Sequence, residues 1–148
     1  MSCRRGRFRK NPLLSQRIFA YSDMLKSPNM RLPWLFAALV LSAILALFQW
    51  WAVTEFLYWR YPWSDIPMHY LGGVTLSVCL TAVLLHRRDY VYVSLLAAVF
   101  VGWEIFELIF GIPREANYPL DTILDLVMDT LGALTVYLVA RKTLWRSK

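Results

Sequence analysis

Apolar residues along this chain are grouped into four long segments separated by short polar stretches. The segments cover residues 33–59, 66–85, 90–112 and 120–140. Each is close to or above the roughly 20 residues that a helix needs to cross a hydrocarbon core. The pattern therefore predicts an all-α fold, a polytopic membrane four-helix bundle. Because the connections are short, neighbouring helices are expected to pack antiparallel within one bundle.

A cleaved signal peptide is the alternative interpretation of the first segment. However, the apolar run is long and begins beyond residue 30. It contains Phe48-Gln49-Trp50-Trp51 where a cleavage site would have small residues. A composition of 58% hydrophobic and 18% charged residues also favours a membrane protein over a small soluble domain. We therefore interpret residues 33–59 as the first membrane span.

Basic residues indicate how the bundle is oriented. All but two of the sixteen lysines and arginines fall in residues 1–32, in the second connection or in residues 141–148. The exceptions are Arg60 and Arg114. By the positive-inside rule both termini are cytoplasmic, as expected for a multi-pass protein of the bacterial cytoplasmic (inner) membrane. The aromatic belt expected at the outer interface consists of Trp50, Trp51, Tyr58, Trp59, Tyr61 and Trp63.

The basic tail of residues 1–32 has two interpretations. Four apolar residues at helical spacing favour a short helix on an anionic membrane surface, namely Leu14, Ile18, Tyr21 and Leu25. A disordered tail that only sets orientation explains the charges equally well.

The sequence indicates neither a nucleic-acid partner nor a chemical role for the cysteines. The net charge of +6 comes from basic residues that lie where the positive-inside rule expects them. It therefore does not indicate a nucleic-acid partner. Cys3 and Cys79 are too far apart to indicate a disulfide framework or a zinc knuckle.

Ionisable side chains interrupt the last three apolar segments at helical spacing. The sets are Asp65 with His69, Glu104 with Glu107, and Asp121 with Asp125 and Asp129. Residues three or four apart lie on one helical face. With a rise of about 1.5 Å per residue, five of these side chains share a layer roughly 6–14 Å below the outer boundary. They are His69, Glu104, Glu107, Asp125 and Asp129.

The four carboxylates of this layer need a compensating charge. No lysine or arginine lies within the spans, and unpaired ionised acids would add an insertion penalty of roughly 10–14 kcal/mol. Protons, an inward reach of Arg60 or Arg114, or a bound cation could neutralise them. Carboxylates and imidazoles on facing helices build metal sites in bundle cores. The candidate metal ligands are therefore His69, Glu104, Glu107, Asp125 and Asp129.

The ligand types narrow the choice of metal. One histidine with several carboxylates and no nearby cysteine favours Mn²⁺, Fe²⁺, Mg²⁺ or Ca²⁺ over Zn²⁺. Asp65 and Asp121 could orient metal ligands from outside the ligand set. They could equally cap their helices, since Pro67 and Pro119 stand at early helical positions.

Small residues accompany the polar layer. Gly72 and Gly73 follow His69 by three and four residues, and Gly132 follows Asp129 by three. Such glycines allow helix backbones to approach closely around a site, or they reflect ordinary packing of membrane helices.

These motifs, in their order along the chain, resemble the small bacterial membrane proteins of the VanZ-like and YjdF-like group. The resemblance covers residues 65–132. It lies in the motifs Asp65-x-x-x-His69-x-x-Gly72-Gly73, Trp103-Glu104-x-x-Glu107 and Asp121-x-x-x-Asp125-x-x-x-Asp129-x-x-Gly132. It implies a helical integral membrane protein with polar motifs inside the bundle, and the namesake is associated with glycopeptide-antibiotic resistance. This chain has only four spans and is shorter than many proteins of the group.

Three functions remain open at this point. The leading hypothesis is a metal-binding membrane protein that could hydrolyse a lipid-linked or envelope substrate, with Glu107 or Glu104 as the catalytic carboxylate. The second is ion or proton transport along the same acids, although these cluster in the outer half. The third is a non-enzymatic bundle held by a structural polar network. The lipid bilayer is the expected partner, and in a homo-oligomer another chain could supply the missing cation.

Overall fold

A computed structural model describes residues 28–84, 89–111 and 117–144 of the chain, with side chains from residue 31 onwards. The helices are α1 (Pro28–Thr54), α2 (Leu57–Arg60), α3 (Asp65–Val83), α4 (Asp89–Phe110) and α5 (Tyr118–Thr143). All but α2 are long and apolar enough to cross a membrane. No strand occurs in these three ranges, so the predicted all-helical membrane architecture is confirmed for them.

Some predictions lie outside the described residues. The candidate surface helix around residues 14–25 is one of them, and Arg114 is another. The cytoplasmic orientation of the termini stays a prediction, since the helices by themselves do not say which side of a membrane they face.

The first helix ends at Thr54, whereas the apolar pattern extends to residue 59. The Thr54 hydroxyl donates a hydrogen bond to the carbonyl of Trp50, at 3.0 Å. Two residues later Phe56 adopts the left-handed conformation, with φ of 55° and ψ of 38°. A right-handed helix cannot continue through such a residue. The short helix α2 and the 3₁₀ turn Pro62–Ser64 then lead into α3.

The closest helix pair is α3 with α5, and glycine makes it possible. A Cβ atom on Gly73 would overlap the backbone of Asp129, and one on Gly132 would overlap the carbonyl oxygen of Tyr70. The contacts advance together along both helices, from His69 with Asp129 to Ser77 with Ala133, so the helices run parallel. The expectation that these glycines permit close approach is therefore confirmed at Gly73 and Gly132.

Helices α1 and α4 pack around this pair less closely. Helix α1 lies mainly on α3, where Ala38 contacts the cluster of Val78 and Val136. Helix α4 turns one stripe inward, with a buried residue every fourth position. The stripe consists of Tyr92, Leu96, Phe100 and Glu104. The remaining faces of α1 and α4 carry many exposed apolar side chains, as expected for helices surrounded by lipid.

A group of buried hydroxyl side chains, here called the hydroxyl layer, consists of Ser77, Thr81 and Tyr92. Ser77 donates to the carbonyl of Ala133 at 3.1 Å and also hydrogen-bonds the Tyr92 hydroxyl. Thr81 lies 3.5 Å from the same phenolic oxygen. Ser77 and Thr81 are fully buried and Tyr92 nearly so. The layer therefore joins α3, α4 and α5 through neutral groups that satisfy one another.

Candidate metal centre

The first turns of α3 and α5 bring the polar residues of two helices to one place. Asp65 begins α3 and His69 follows one turn later, while Asp125 and Asp129 lie in the second and third turns of α5. Because Gly73 allows the backbone of Asp129 to approach α3, the two helices are close enough for these side chains to meet. The glycine contact and the polar cluster thus have the same origin in the parallel packing of α3 on α5.

His69 is the centre of the cluster, and its two ring nitrogens face different carboxylates. Nδ1 lies 3.4 Å from Oδ2 of Asp129. Nε2 lies 3.7 Å from Oδ1 of Asp65 and 3.8 Å from Oδ1 of Asp125. The first distance fits a long hydrogen bond, whereas the other two exceed hydrogen-bonding range. One nitrogen is therefore held by a carboxylate, and the other faces two carboxylates across a gap.

Burial differs among the four members of the cluster. His69, Asp125 and Asp129 are 8%, 2% and 5% exposed. The side chain of Asp65 is 32% exposed, so the cluster is reached from that end of α3. Among the described residues, the cluster is therefore most accessible at its Asp65 end.

Three of the side chains have the spacing of metal ligands. One atom each of Asp65, His69 and Asp125 lies within 4.8 Å of the others. Two donors on one ion, each about 2.1–2.4 Å from it, are separated by roughly 3.0–3.5 Å. The observed gaps at Nε2 are slightly wider than that. A small inward movement of the carboxylates would thus enclose an ion.

Glu104 lies on the third helix that borders the cluster. It is 6% exposed, and neither of its carboxylate oxygens has a hydrogen-bond partner among the described residues. Its backbone carbonyl accepts a hydrogen bond from the Tyr118 hydroxyl at 3.3 Å. Its carboxyl group interacts electrostatically with His69, Asp125 and Asp129 of the cluster and with Asp121. We call Glu104 together with Asp65, His69, Asp125 and Asp129 the site layer.

The other two predicted site residues lie at the edge of the site layer. Glu107 is half-buried one turn beyond Glu104 and interacts electrostatically with Asp65. Asp121 is half-buried in the first turn of α5. Like Glu104 and Asp129, they lie outside the group of three whose ligand atoms are within 4.8 Å of one another, but unlike those two they are not fully buried. The predicted site residues thus divide into an inner set and a rim.

Tyr58 of α2 is a neighbour of the site that the sequence did not single out. Its hydroxyl donates to Oε1 of Gln49 at 2.5 Å, which ties α2 to the end of α1. Burial raises the pKa of Tyr58 to about 12, and the negative charges of Asp65 and Glu107 act in the same direction. No feature of the sequence predicts the helix break at Phe56, which positions Tyr58 near the site. The sequence therefore indicates Tyr58 only as one of several residues of the aromatic belt.

The described lysine and arginine side chains belong to other parts of the bundle than the site layer. Arg60 is exposed in α2, while Arg31, Arg141 and Lys142 belong to the opposite end of the bundle. Within the described ranges, His69 is therefore the one residue of the site layer that can become cationic. Protons, a bound cation or Arg114, which lies outside the described ranges, would offset the remaining carboxylates.

Comparison of the chain with protein-family models, with curated proteins and with solved structures gives no match. The resemblance to the VanZ-like group thus stays a prediction, and the chemistry of the site rests on its own geometry.

Proposed function

We propose that this chain is a membrane protein that binds one divalent cation within its bundle. The observation that carries the proposal is that the two ring nitrogens of His69 face different carboxylates. Its Nδ1 is held by Asp129, while its Nε2 faces Asp65 and Asp125 at 3.7 and 3.8 Å. Histidines that bind metals commonly donate the other ring N–H to a carboxylate, which fixes the tautomer.

This proposal assigns different roles to two aspartates than the sequence pattern suggested. Asp65, His69 and Asp125 supply the ligand atoms, and Asp129 orients the imidazole. From spacing alone, Asp129 was a candidate ligand and Asp65 a candidate orienting residue. The exchange follows from which ring nitrogen each carboxylate faces.

The ligand set favours a hard or borderline cation. Two carboxylates and one imidazole suit Mn²⁺, Fe²⁺ or Mg²⁺, which bind six ligands and retain water on the open positions. The partly exposed Asp65 and the half-buried Glu107 lie where a substrate would arrive. We therefore propose a hydrolytic reaction in which a metal-bound water attacks and Glu107 acts as the base.

The test is the metal content of the detergent-purified full chain, measured by plasma mass spectrometry after loading with Mn²⁺, Fe²⁺, Zn²⁺ or Ca²⁺. We expect one equivalent of metal in the wild type and in Glu55→Gln, a control at an exposed acid outside the cluster. Asp125→Asn and His69→Ala should each lose the metal. Asp125→Asn retains the size of the side chain, so the loss cannot be attributed to a cavity.

Two results would overturn the proposal. One is the absence of stoichiometric metal from the wild type under every loading condition. The other is metal that remains bound in both Asp125→Asn and His69→Ala. Either result would favour a protonated polar network as the reason for the buried acids.

Transport is the second candidate, and the hydroxyl layer is the observation in its favour. Thr75, Ser77, Thr81 and Tyr92 continue the line of buried polar groups beyond the site layer. These groups hydrogen-bond one another or the helix backbone, so a passing ion would have to separate them. Cation flux through proteoliposomes, abolished by Asp125→Asn, would support transport over hydrolysis.

The membrane itself also belongs to the proposal. The distribution of basic residues supports cytoplasmic termini, with the Asp65 end of the site at the outer face of a bacterial cytoplasmic membrane. A cation and a lipid-linked substrate would then reach the site from the outside. Alkylation of single cysteines placed at Trp63 and at Leu144 would test this orientation, because only the outer one should react with a membrane-impermeant reagent in whole cells.

A further inference from the structure

Glu104 has a feature that the three proposed ligands do not explain. It is 94% buried as a residue, since 6% of its surface is exposed, and both carboxylate oxygens lack a hydrogen-bond partner in the part of the chain that is described. A buried polar group without a partner typically costs about 1–3 kcal/mol, and more if it is charged. Such a group persists in a membrane interior when something else engages it.

The surroundings of Glu104 indicate what engages it. Its charged neighbours are His69 and three acids, Asp121, Asp125 and Asp129, and two of these four residues, His69 and Asp125, are proposed metal ligands. The Thr122 hydroxyl of α5 is buried beside this carboxyl group and interacts with it, although the geometry falls short of a well-formed hydrogen bond. One hydroxyl can donate to only one of the two carboxylate oxygens, and acids cannot stabilise a further negative charge, so a cation fits the remaining position.

The position of Glu104 also matters for the packing of the bundle. The three proposed ligands come from α3 and α5, which glycines already hold in close contact. Helix α4 approaches that pair less closely, because Tyr92, Leu96 and Phe100 stand between the backbones. A ligand on α4 would therefore join the loosely packed helix to the tightly packed pair.

We propose that Glu104 supplies a fourth ligand from α4, so that the bound cation clamps α4 against the α3–α5 pair. This inference rests on the proposed metal-binding function. A six-coordinate ion with four protein ligands keeps two positions for water or substrate. Metal binding then both completes the site and orders the outer turns of α4, whose end faces the open side of the site.

The experiment compares Mn²⁺ binding with the mobility of α4 in lipid nanodiscs containing the full chain. Mn²⁺ affinity is measured from the spin-resonance signal of the free ion. Hydrogen exchange, followed by mass spectrometry, reports on residues 97–110 with and without Mn²⁺. The variants are Glu104→Gln, Glu104→Asp, Asp125→Asn and the control Glu55→Gln.

We expect Glu104→Gln to weaken Mn²⁺ binding by about tenfold or more, the size of effect that loss of a supporting carboxylate has at metal sites. Mn²⁺ should slow exchange in α4 of the wild type and of Glu55→Gln, but not in Glu104→Gln. Glu104→Asp keeps the charge on a shorter side chain and should recover part of both effects. Asp125→Asn should abolish binding and protection together.

The outcomes separate the two proposals. If wild type and Glu104→Gln bind Mn²⁺ with the same affinity, the clamp is wrong and the metal centre stands. The same holds if Mn²⁺ binds the wild type without slowing exchange in α4. If the wild type binds neither Mn²⁺ nor any of the other cations used for loading, the proposed function fails and the clamp fails with it.

Discussion

The site layer and the hydroxyl layer lie on the same three helices, yet they differ in how their polar groups are satisfied. In the hydroxyl layer Ser77, Thr81 and Tyr92 are neutral and hydrogen-bond one another or the backbone. In the site layer the carboxylates outnumber the one imidazole, and both oxygens of Glu104 lack a partner within the described residues. A layer that satisfies itself is explained by stability. A layer whose acids are not balanced among the described residues leaves room for protons or a bound cation, which is why we propose function there.

The largest effect should come from the contact that both layers share. Gly132→Ala would place a Cβ atom onto the backbone of Tyr70, and the two helices would have to separate. Overpacking in a well-packed core typically costs about 1–3 kcal/mol, and here the obstacle is rigid backbone, so we expect at least about 3 kcal/mol. The measurement is thermal unfolding of the purified protein in detergent.

The chain offers a matched control for this substitution. Gly102 lies in the middle of α4, and a Cβ atom there would meet nothing within 4 Å among the described residues. Gly102→Ala should leave stability unchanged or raise it by up to about 1 kcal/mol, because alanine is the better helix former. Equal losses from the two substitutions would contradict the close packing of α3 on α5.

The second prediction concerns the site layer alone. Asp129→Asn retains the size of the side chain but removes the charge that faces Nδ1 of His69. Loss of such an orienting carboxylate commonly lowers metal affinity by about 10–100-fold. Mn²⁺ titration should show this loss, while the melting temperature without metal should stay near that of the wild type. An affinity unchanged in Asp129→Asn would show that Asp129 has no orienting role.

Much of this architecture can be predicted from hydropathy and spacing, because membranes restrict the choices. A span must bury its backbone polar groups in a helix, so four long apolar segments lead directly to four helices. The spacings of His69, Asp125 and Asp129 place polar residues on single helical faces, and the structure brings those faces together. The glycines at 73 and 132 identify the contact in the same way.

The parts that the sequence does not predict depend on tertiary contacts. Short connections indicate that neighbouring helices are antiparallel, but they do not reveal that the closest pair is the parallel one, α3 with α5. Phe56 carries no signal for a left-handed backbone, so neither the end of α1 nor the position of Tyr58 can be predicted. The roles of Asp65 and Asp129 depend on the orientation of one imidazole ring, which residue spacing does not determine.

The third prediction tests the hydroxyl layer. Tyr92→Phe removes the phenolic oxygen that contacts Ser77 and Thr81, while the ring keeps its packing against Tyr137. Hydrogen bonds between membrane helices contribute about 0.6 kcal/mol on average and up to about 2 kcal/mol, so we expect a loss of about 1 kcal/mol. Mn²⁺ affinity should not change. A large loss of affinity in this variant would mean that the two layers are coupled.

The last prediction is a gain in stability, whereas the third is a loss. Glu104→Met replaces the unpartnered carboxyl group with an apolar side chain of similar length, in a position that is 6% exposed. Replacing a buried unsatisfied group by an apolar one is neutral or stabilising, so the metal-free protein should gain up to about 1 kcal/mol. The measurement is unfolding in the presence of a chelator, beside Tyr92→Phe. If both variants lose stability to the same degree, Glu104 has a protein partner and the contrast between the layers is wrong. If only Glu104→Met gains stability, the wild-type carboxylate lowers the stability of the metal-free protein. That result is expected for a residue whose role is to bind a ligand.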